Sequence, residues 1–116
     1  RDFNYVTDTC SAFLAVSKCE EAIGKVINSS SNFELFQIGT GNETSVNDFF
    51  SEIKNSLENL NYVSESPTNQ DFRDGEIIRS FTDITKAQKE LNFQPNYSIR
   101  KGIKDTVTWF VNNYKQ

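Results

Sequence analysis

Apolar residues recur every three to four positions in several stretches of the chain, and this spacing predicts helices. The clearest helix begins after Ser45, a good N-cap residue, with Asp48 three positions later. Another begins after Ser98 and continues to Tyr114. The predicted buried faces are Val46, Phe49, Phe50, Ile53, Leu57 and Leu60 for the former, and Ile99, Ile103, Thr106, Val107, Phe110, Val111 and Tyr114 for the latter.

Two further helices are predicted from weaker patterns. The first covers roughly residues 8–22, with Thr7 or Asp8 as its N-cap and Gly24 as its stop. Its apolar residues at helical spacing are Cys10, Phe13 and Leu14. The second is a short helix that follows Asp83, and it ends before Pro95, which cannot continue a helix. Its predicted inward residues are Ile84, Ala87 and Leu91.

Extended segments alternate with these helices. Residues 1–6, 33–38 and 62–63 have the composition or alternation of short strands, and Gly39-Thr40-Gly41 forms a tight turn after the second of them. This order predicts the α/β class, with short strands and about four helices. The strands are too few and too short for a complete doubly wound sheet.

Length and composition define the size and surface of the molecule. The 116 residues suit one domain over 1–116, and with 36% hydrophobic residues its core depends on large rings, including ten Phe and Trp109. The net charge of −4, without a basic run, argues against nucleic acid or a membrane surface as partner. The absence of His excludes imidazole chemistry within the chain and His-ligated metal, and we predict no metal site.

The two cysteines indicate a reducing environment. Cys10 and Cys19 are nine positions apart in a predicted helix, which separates them by about 13 Å on opposite faces. They cannot form a disulfide with each other without breaking that helix. Because no signal-like segment or apolar span is evident either, we predict a cytoplasmic protein.

Two motifs could bind phosphate or ribose, but neither decides a function by itself. Gly39-Thr40-Gly41 lies between a predicted strand and a helix, yet its spacing does not match a dinucleotide-binding loop, so we interpret it as a turn. Arg73 and Glu76 suit a sugar nucleotide, since an Arg fork matches phosphate oxygens and a carboxylate accepts from ribose hydroxyls. A solvated turn with exposed ion pairs explains the same residues. Arg1 beside Asp2 is equally ambiguous.

Taken together, three stretches resemble the C-terminal part of the NAD-dependent epimerase/dehydratase family, the extended short-chain dehydrogenases that act on nucleotide sugars. The stretches are Arg1-Asp2-Phe3-Asn4-Tyr5-Val6-Thr7-Asp8, then Phe36-Gln37-Ile38-Gly39-Thr40-Gly41 with Ser45-Val46, and Arg73-Asp74-Gly75-Glu76 continuing through Asp83-Ile84-Thr85-Lys86-Ala87 to Trp109-Phe110. Order, spacing and residue type agree across nearly the whole chain.

The resemblance implies a substrate-binding portion of such an enzyme, without its complete Rossmann sheet. By this resemblance Arg1 and Arg73 are diphosphate ligands, and Glu76 contacts the nucleoside ribose. The family's NAD loop and its catalytic Tyr-x-x-x-Lys have no counterpart here, so we expect no catalytic residue and no bound cofactor in this chain, with NAD implied for the full-length parent. Tyr97 and Lys101 have the motif's spacing, but they lie in the stretch that matches the family's C-terminal end, so we interpret them as coincidence.

Two functions are compatible with these observations. The first is the nucleotide-sugar binding portion of a 4-epimerase or 4,6-dehydratase, inactive alone, for which the resemblance implies a UDP-sugar as ligand. The second is a stand-alone binding or interaction module that kept the fold without catalysis. For the isolated fragment we expect self-association through an exposed strand edge or an apolar helix face.

Overall fold

The computed structural model describes residues 1–19 and 34–114. Four helices form in these ranges: α1 Val6–Lys18, α2 Val46–Glu58, α3 Thr85–Leu91 and α4 Ile99–Asn113. No strand occurs within the described ranges, so the predicted α/β class with short strands is not confirmed. Residues 1–5, 34–38 and 62–63 are irregular there, because a strand requires a ladder of backbone hydrogen bonds to a partner segment, and the described residues show only the single pair of Arg1 with Thr44. Phe33, the predicted start of the second strand, lies outside the described residues.

The boundaries of α1 differ from the predicted ones. The helix begins at Val6 with Tyr5 as its N-cap, so the prediction of Thr7 or Asp8 at that position is wrong. It ends at Lys18, four residues before the predicted end, because Cys19 adopts an extended backbone conformation. The predicted stop, Gly24, lies outside the described residues.

The caps of α2 and α4 confirm the two clearest sequence signals. Ser45 Oγ accepts a hydrogen bond from the Asp48 backbone N–H at 3.0 Å, and Ser98 Oγ accepts one from the Lys101 N–H at 3.3 Å. The two helices pack against each other, with Ile103 of α4 buried at 6% exposure. Local capping chemistry therefore fixes where each helix starts, and the apolar faces bring the pair together.

The main apolar cluster joins α1 to α3. Its buried members are Ala12, Ala87, Leu91 and Phe93. Asn92 ends α3 in the left-handed conformation with φ of 51°, and the chain then reverses so that the Phe93 N–H donates to the Ala87 carbonyl at 3.2 Å. This reversal places the Phe93 ring in the cluster, where it is 2% exposed.

Several residues predicted to be buried are exposed. Phe110 and Tyr114 on α4, and Trp109 beside them, are each more than half exposed, so their assignment to the core is wrong for this structure. The Tyr114 ring contacts the other two instead: it stacks on Phe110 with ring centroids 4.8 Å apart and meets Trp109 edge-on with centroids 5.7 Å apart. On α1 the stripe of Cys10, Phe13 and Leu14 also faces solvent. Helical spacing identified these faces but not whether another element covers them.

A buried aspartate joins the start of the chain to α4. Asp8 is 2% exposed, and its two carboxylate oxygens accept hydrogen bonds from the backbone N–H groups of Asn96 and Tyr97 at 3.1 and 3.0 Å. The Tyr97 ring stacks on Tyr5 at 4.2 Å, and Gly102 leaves space for the Tyr5 ring against α4. None of the helices in the described ranges is sufficiently long and apolar to cross a membrane.

Candidate functional site

Three segments of the chain enclose a cleft of about 620 Å³. They are Arg1, the residues leading into α2, and the exposed stretch of residues 69–79, which we call the cleft segment. The lining residues are Arg1, Glu43, Thr44, Ser45, Val46, Asn47, Asn69, Gln70, Asp71, Phe72, Glu76, Ile77, Ile78 and Arg79. Of the three residues predicted from the sequence, Arg1 and Glu76 therefore lie in one cleft although 75 positions separate them in the chain.

Arg1 is held in the cleft by backbone groups on both sides. Its backbone nitrogen donates to the Thr44 carbonyl and its carbonyl accepts from the Thr44 N–H, both at 2.8 Å. Its guanidinium Nη1 donates to the Ile77 carbonyl and, at 3.5 Å, to the Ile78 carbonyl. A guanidinium has five N–H donors in a fixed fork, so these carbonyls orient the group without using all of its donors.

Arg79 and Glu43 form the closest ion pair at this cleft. Arg79 Nε lies 3.0 Å from both carboxylate oxygens of Glu43, and Nη2 donates to Oε2 at 2.6 Å. The hydrogen bonds from Arg79 hold the pKa of the Glu43 carboxyl below its usual value. This pair connects the cleft segment to the residues that precede α2.

Arg73 and Glu76 belong to one tight turn. The Glu76 N–H donates to the Arg73 carbonyl at 3.1 Å, and Glu76 Oε2 accepts from the Arg73 N–H at 3.3 Å. Gly75 has φ of +79°, the backbone conformation that the third position of a type II turn requires. Glu76 lines the cleft while its Oε2 is held by the turn, whereas Arg73 is exposed beside it and is not among the lining residues.

The charge of the lining limits how an anion would be recognised. Acidic residues at the cleft slightly outnumber basic ones: Glu43, Asp71 and Glu76 against Arg1 and Arg79. The cleft therefore does not have the strongly positive field that attracts phosphate from a distance. A phosphate group here would be recognised by direct hydrogen bonds from an arginine fork.

The Gly39-Thr40-Gly41 turn binds a carboxylate of its own chain. Asp2 Oδ1 accepts from the Thr40 N–H and hydroxyl at 2.9 and 2.6 Å, and Oδ2 accepts from the Gly41 N–H at 3.1 Å and from the Thr82 N–H at 3.2 Å. Burial would raise the pKa of Asp2, but these hydrogen bonds favour the charged form and hold the pKa below its usual value. A Cβ at Gly39 would lie 2.5 Å from Asp2 Oδ2, so position 39 has no space for a side chain and suits glycine.

The same contacts test whether this turn fits the pyrophosphate of a dinucleotide cofactor. The N–H groups of Thr40 and Gly41 already donate to Asp2, and the space left by Gly39 is occupied by Asp2 and Thr82. The turn therefore does not fit the pyrophosphate of NAD.

Tyr97 and Lys101 are arranged for packing. Lys101 Nζ lies over the face of the Tyr97 ring, 3.8 Å from its centroid, while the ring also stacks on Tyr5. A cation above the ring face contributes to the packing of the first turn of α4. An apolar hollow of about 390 Å³ lies beside this pair, between residues 2–5, α2 and α4.

Comparison with known proteins identifies the family. Residues 1–106 match the family model described as GDP-mannose 4,6 dehydratase. The chain belongs to the NAD-dependent epimerase/dehydratase family. Its match falls in the C-terminal part of the family, as the resemblance predicted.

Named relatives of this epimerase/dehydratase chain act on several nucleotide sugars. A UDP-glucuronate 4-epimerase of Thermodesulfobacterium geofontis is 31% identical over 114 residues, covering 97% of the chain and 31% of the relative. The human dTDP-D-glucose 4,6-dehydratase is 29% identical over 115 residues, covering 98% and 30%. A Methanocaldococcus jannaschii protein, described as a candidate UDP-glucose 4-epimerase, is 34% identical over 113 residues, covering 97% and 32%. The chain thus spans about a third of the length of the relatives it matches.

Sequence reasoning missed the ion pair of Glu43 and Arg79 in the cleft lining, and the hydrogen bonds by which Asp2, outside the lining, joins the adjoining segments. Asp2 and Arg79 stood next to motifs that were singled out, but nothing in their local sequence showed what they contact. Their partners are 36 to 80 positions away, so no local pattern connects them.

Proposed function

We propose that this chain is the nucleotide-sugar binding portion of an NAD-dependent epimerase or dehydratase, with a UDP-sugar as its ligand, and that it is inactive alone. The observation that carries the proposal is the meeting of Arg1, Glu76 and Arg79 in one cleft. Family membership makes a nucleotide sugar the appropriate class of ligand, since the relatives are named for UDP- and dTDP-sugar reactions.

The proposed roles follow from the donors and acceptors at the cleft. Arg1, oriented by the Ile77 and Ile78 carbonyls, donates to the diphosphate, and Arg73 reaches the same group from the turn beside the cleft. Glu76 accepts from the ribose hydroxyls, because a carboxylate can accept from two adjacent hydroxyls at once. Arg79 lines the same wall and contributes a second guanidinium there.

Calorimetric titration of UDP and UDP-glucose into the natural polypeptide tests this assignment. Replacing Arg1 with alanine should weaken UDP binding about tenfold, the usual loss for a charge-assisted hydrogen bond. Glu76→Gln should weaken UDP and uridine alike, whereas Arg1→Ala should weaken UDP and leave uridine unchanged. The activity claim is tested separately, by assaying NAD-dependent turnover of UDP-glucose with the 116-residue chain and with the full polypeptide.

Matched controls come from the same chain. Arg100 on α4 is 83% exposed in its side chain and lies outside the cleft lining, so Arg100→Ala should retain the UDP affinity of the wild type. Glu65→Gln serves in the same way for Glu76. Equal UDP affinity in Arg1→Ala, Glu76→Gln and the wild type would refute the site. Turnover by the 116-residue chain alone would refute the inactive-portion proposal, and UDP binding without turnover in the natural polypeptide would favour a binding module.

Exposed apolar surface supports the accompanying proposal of self-association. The Cα radius of gyration is 18.1 Å, whereas a compact domain of this length has about 13 Å. No strand occurs in the described ranges, so we propose that association uses an apolar helix face. On α1, Val6, Phe13 and Leu14 are each more than half exposed. Light scattering over a concentration series tests this proposal, and a constant monomer mass would count against it.

We also propose a reducing, cytoplasmic location, in line with the free Cys10 and Cys19.

A further inference from the structure

Asp2 lies where the three walls of the cleft are joined. Its carboxylate accepts from Thr40 and Gly41 on one side and from Thr82 on the other. These partners are 38, 39 and 80 positions away in the sequence, so a single side chain connects three distant segments. Each segment leads directly into the cleft.

The first segment carries Arg1, which precedes Asp2 in the chain. Fixing the Asp2 backbone and side chain also limits the position of Arg1, whose own backbone hydrogen bonds reach Thr44. The second segment passes from Gly41 to Glu43, three residues before α2 begins. The third passes back from Thr82 to Arg79, the partner of Glu43.

Steric fit makes this junction specific for aspartate. A Cβ on Gly39 would lie 2.5 Å from Asp2 Oδ2 and 2.8 Å from Thr82 Cβ, so the space beside Gly39 is already filled by the carboxylate and by Thr82. A glutamate would place its carboxylate one methylene further into this space. An asparagine has the right size, but its NH₂ group would face N–H donors where the carboxylate accepts from both sides.

We propose that Asp2 is a positioning residue of the nucleotide-sugar cleft: its carboxylate sets the relative placement of Arg1, Glu43 and Arg79 and so determines affinity for the diphosphate. This inference rests on the proposed function for the ligand, but its geometric part does not. Asp2 does not line the cleft and acts through the segments that it joins.

The test compares Asp2→Asn with Asp8→Asn in the natural full-length polypeptide. Both aspartates accept backbone N–H groups from distant segments, but the partners of Asp8, Asn96 and Tyr97, lie outside the cleft lining. Asp2→Asn should weaken UDP binding about tenfold. Asp8→Asn should lower the unfolding midpoint and yet keep UDP affinity within about twofold of the wild type, which separates positioning from stability.

Hydrogen exchange provides the readout that does not depend on a ligand. In Asp2→Asn, the amides of Thr40, Gly41 and Thr82 should exchange faster, and exchange should also rise in peptides covering 42–44 and 77–79, while peptides covering α1 and α3 stay protected. A milder variant, Thr40→Val, removes the hydroxyl that donates at 2.6 Å and should give a smaller change in the same direction if Asp2→Asn does not fold.

The outcomes distinguish this inference from the proposed function. If the wild type does not bind UDP, the proposed function fails, and the exchange pattern alone decides whether Asp2 fixes the cleft segments. If UDP binds the wild type and Asp2→Asn equally, or if exchange in residues 42–44 and 77–79 is unchanged in Asp2→Asn and in Thr40→Val, the positioning role is overturned.

Discussion

The apolar cluster around Phe93 and the cleft segment are stabilised by different forces. In the cluster, Ala87 and Phe93 are almost completely buried, and burial of apolar surface is the stabilising term. In the cleft segment every residue is exposed, and its position depends on hydrogen bonds and an ion pair, mainly those of Arg1 and Arg79.

This difference separates stability from binding. A residue of the apolar cluster should change the free energy of unfolding and leave the cleft intact until the protein unfolds. A residue of the cleft segment should change ligand affinity with little effect on unfolding, because exposed polar contacts contribute little to stability. Asp2 belongs to neither region, but its partly buried carboxylate holds together segments that lead to the cleft, so its loss should affect both properties.

The largest effect is expected for Phe93→Ala. Removing a buried ring leaves a cavity next to Ala87, and the free energy of unfolding should fall by about 3–5 kcal/mol. Phe72→Ala is the matched control, since Phe72 belongs to the cleft segment and is 73% exposed, so its change should stay within about 0.5 kcal/mol. Urea denaturation of both variants measures the contrast, and equal losses would remove the distinction between the two regions.

An intermediate effect is expected for Gly39→Ala. The added methyl group would overlap Asp2 Oδ2 and Thr82 Cβ. The free energy of unfolding should therefore fall by about 1–3 kcal/mol, and UDP affinity should fall as well. Gly75→Ala provides the comparison, because nothing lies within 4 Å of its Cβ position and only the positive φ opposes the change. Gly75→Ala should lower the free energy of unfolding by about 1 kcal/mol, and its structural effect should stay within the turn. A Gly39→Ala variant as stable as the wild type would show that the junction can relax.

The smallest effect on stability is expected for Arg79→Gln. At neutral pH the unfolding midpoint should not change, because the pair with Glu43 is exposed. The Glu43 carboxyl titrates below its usual pKa while Arg79 donates to it, so the pair persists at neutral pH and is lost as the pH falls through that lowered pKa. In Arg79→Gln the pKa of Glu43 should rise. Carboxyl ¹³C shifts of Glu43 measured against pH test this prediction. Identical titration midpoints of Glu43 in Arg79→Gln and the wild type would contradict the pairing.

Local signals in the sequence predicted where helices begin better than they predicted which helix faces are covered by other elements. Ser45 and Ser98 were identified as caps because the bond from a serine to the third following N–H is a property of four consecutive residues. Whether Phe13 or Phe110 is covered depends on distant elements, which helical spacing does not describe. The predicted strands are not confirmed within the described residues for the same reason, since pairing requires a partner segment.

The candidate site was predictable only through resemblance. Arg1, Arg73 and Glu76 each had a neutral explanation as exposed polar residues, and the family match selected them jointly. The structure places Arg1 and Glu76 in one cleft and Arg73 beside it. Asp2 could not be found from the sequence, because its role arises from partners up to 80 positions away.

The two aspartates near the start of the chain also affect the order in which the protein acquires its structure during synthesis. The N–H groups that donate to the Asp8 carboxylate lie 88 and 89 positions later in the chain. The most distant N–H group that donates to Asp2 lies 80 positions later. A ribosome adds residues in chain order, so Asp2 and Asp8 must wait for Thr82, Asn96 and Tyr97 to be made before their carboxylates have all of these partners. Residues 2–8 are therefore expected to become fixed in position only after residues 82–97 have been made.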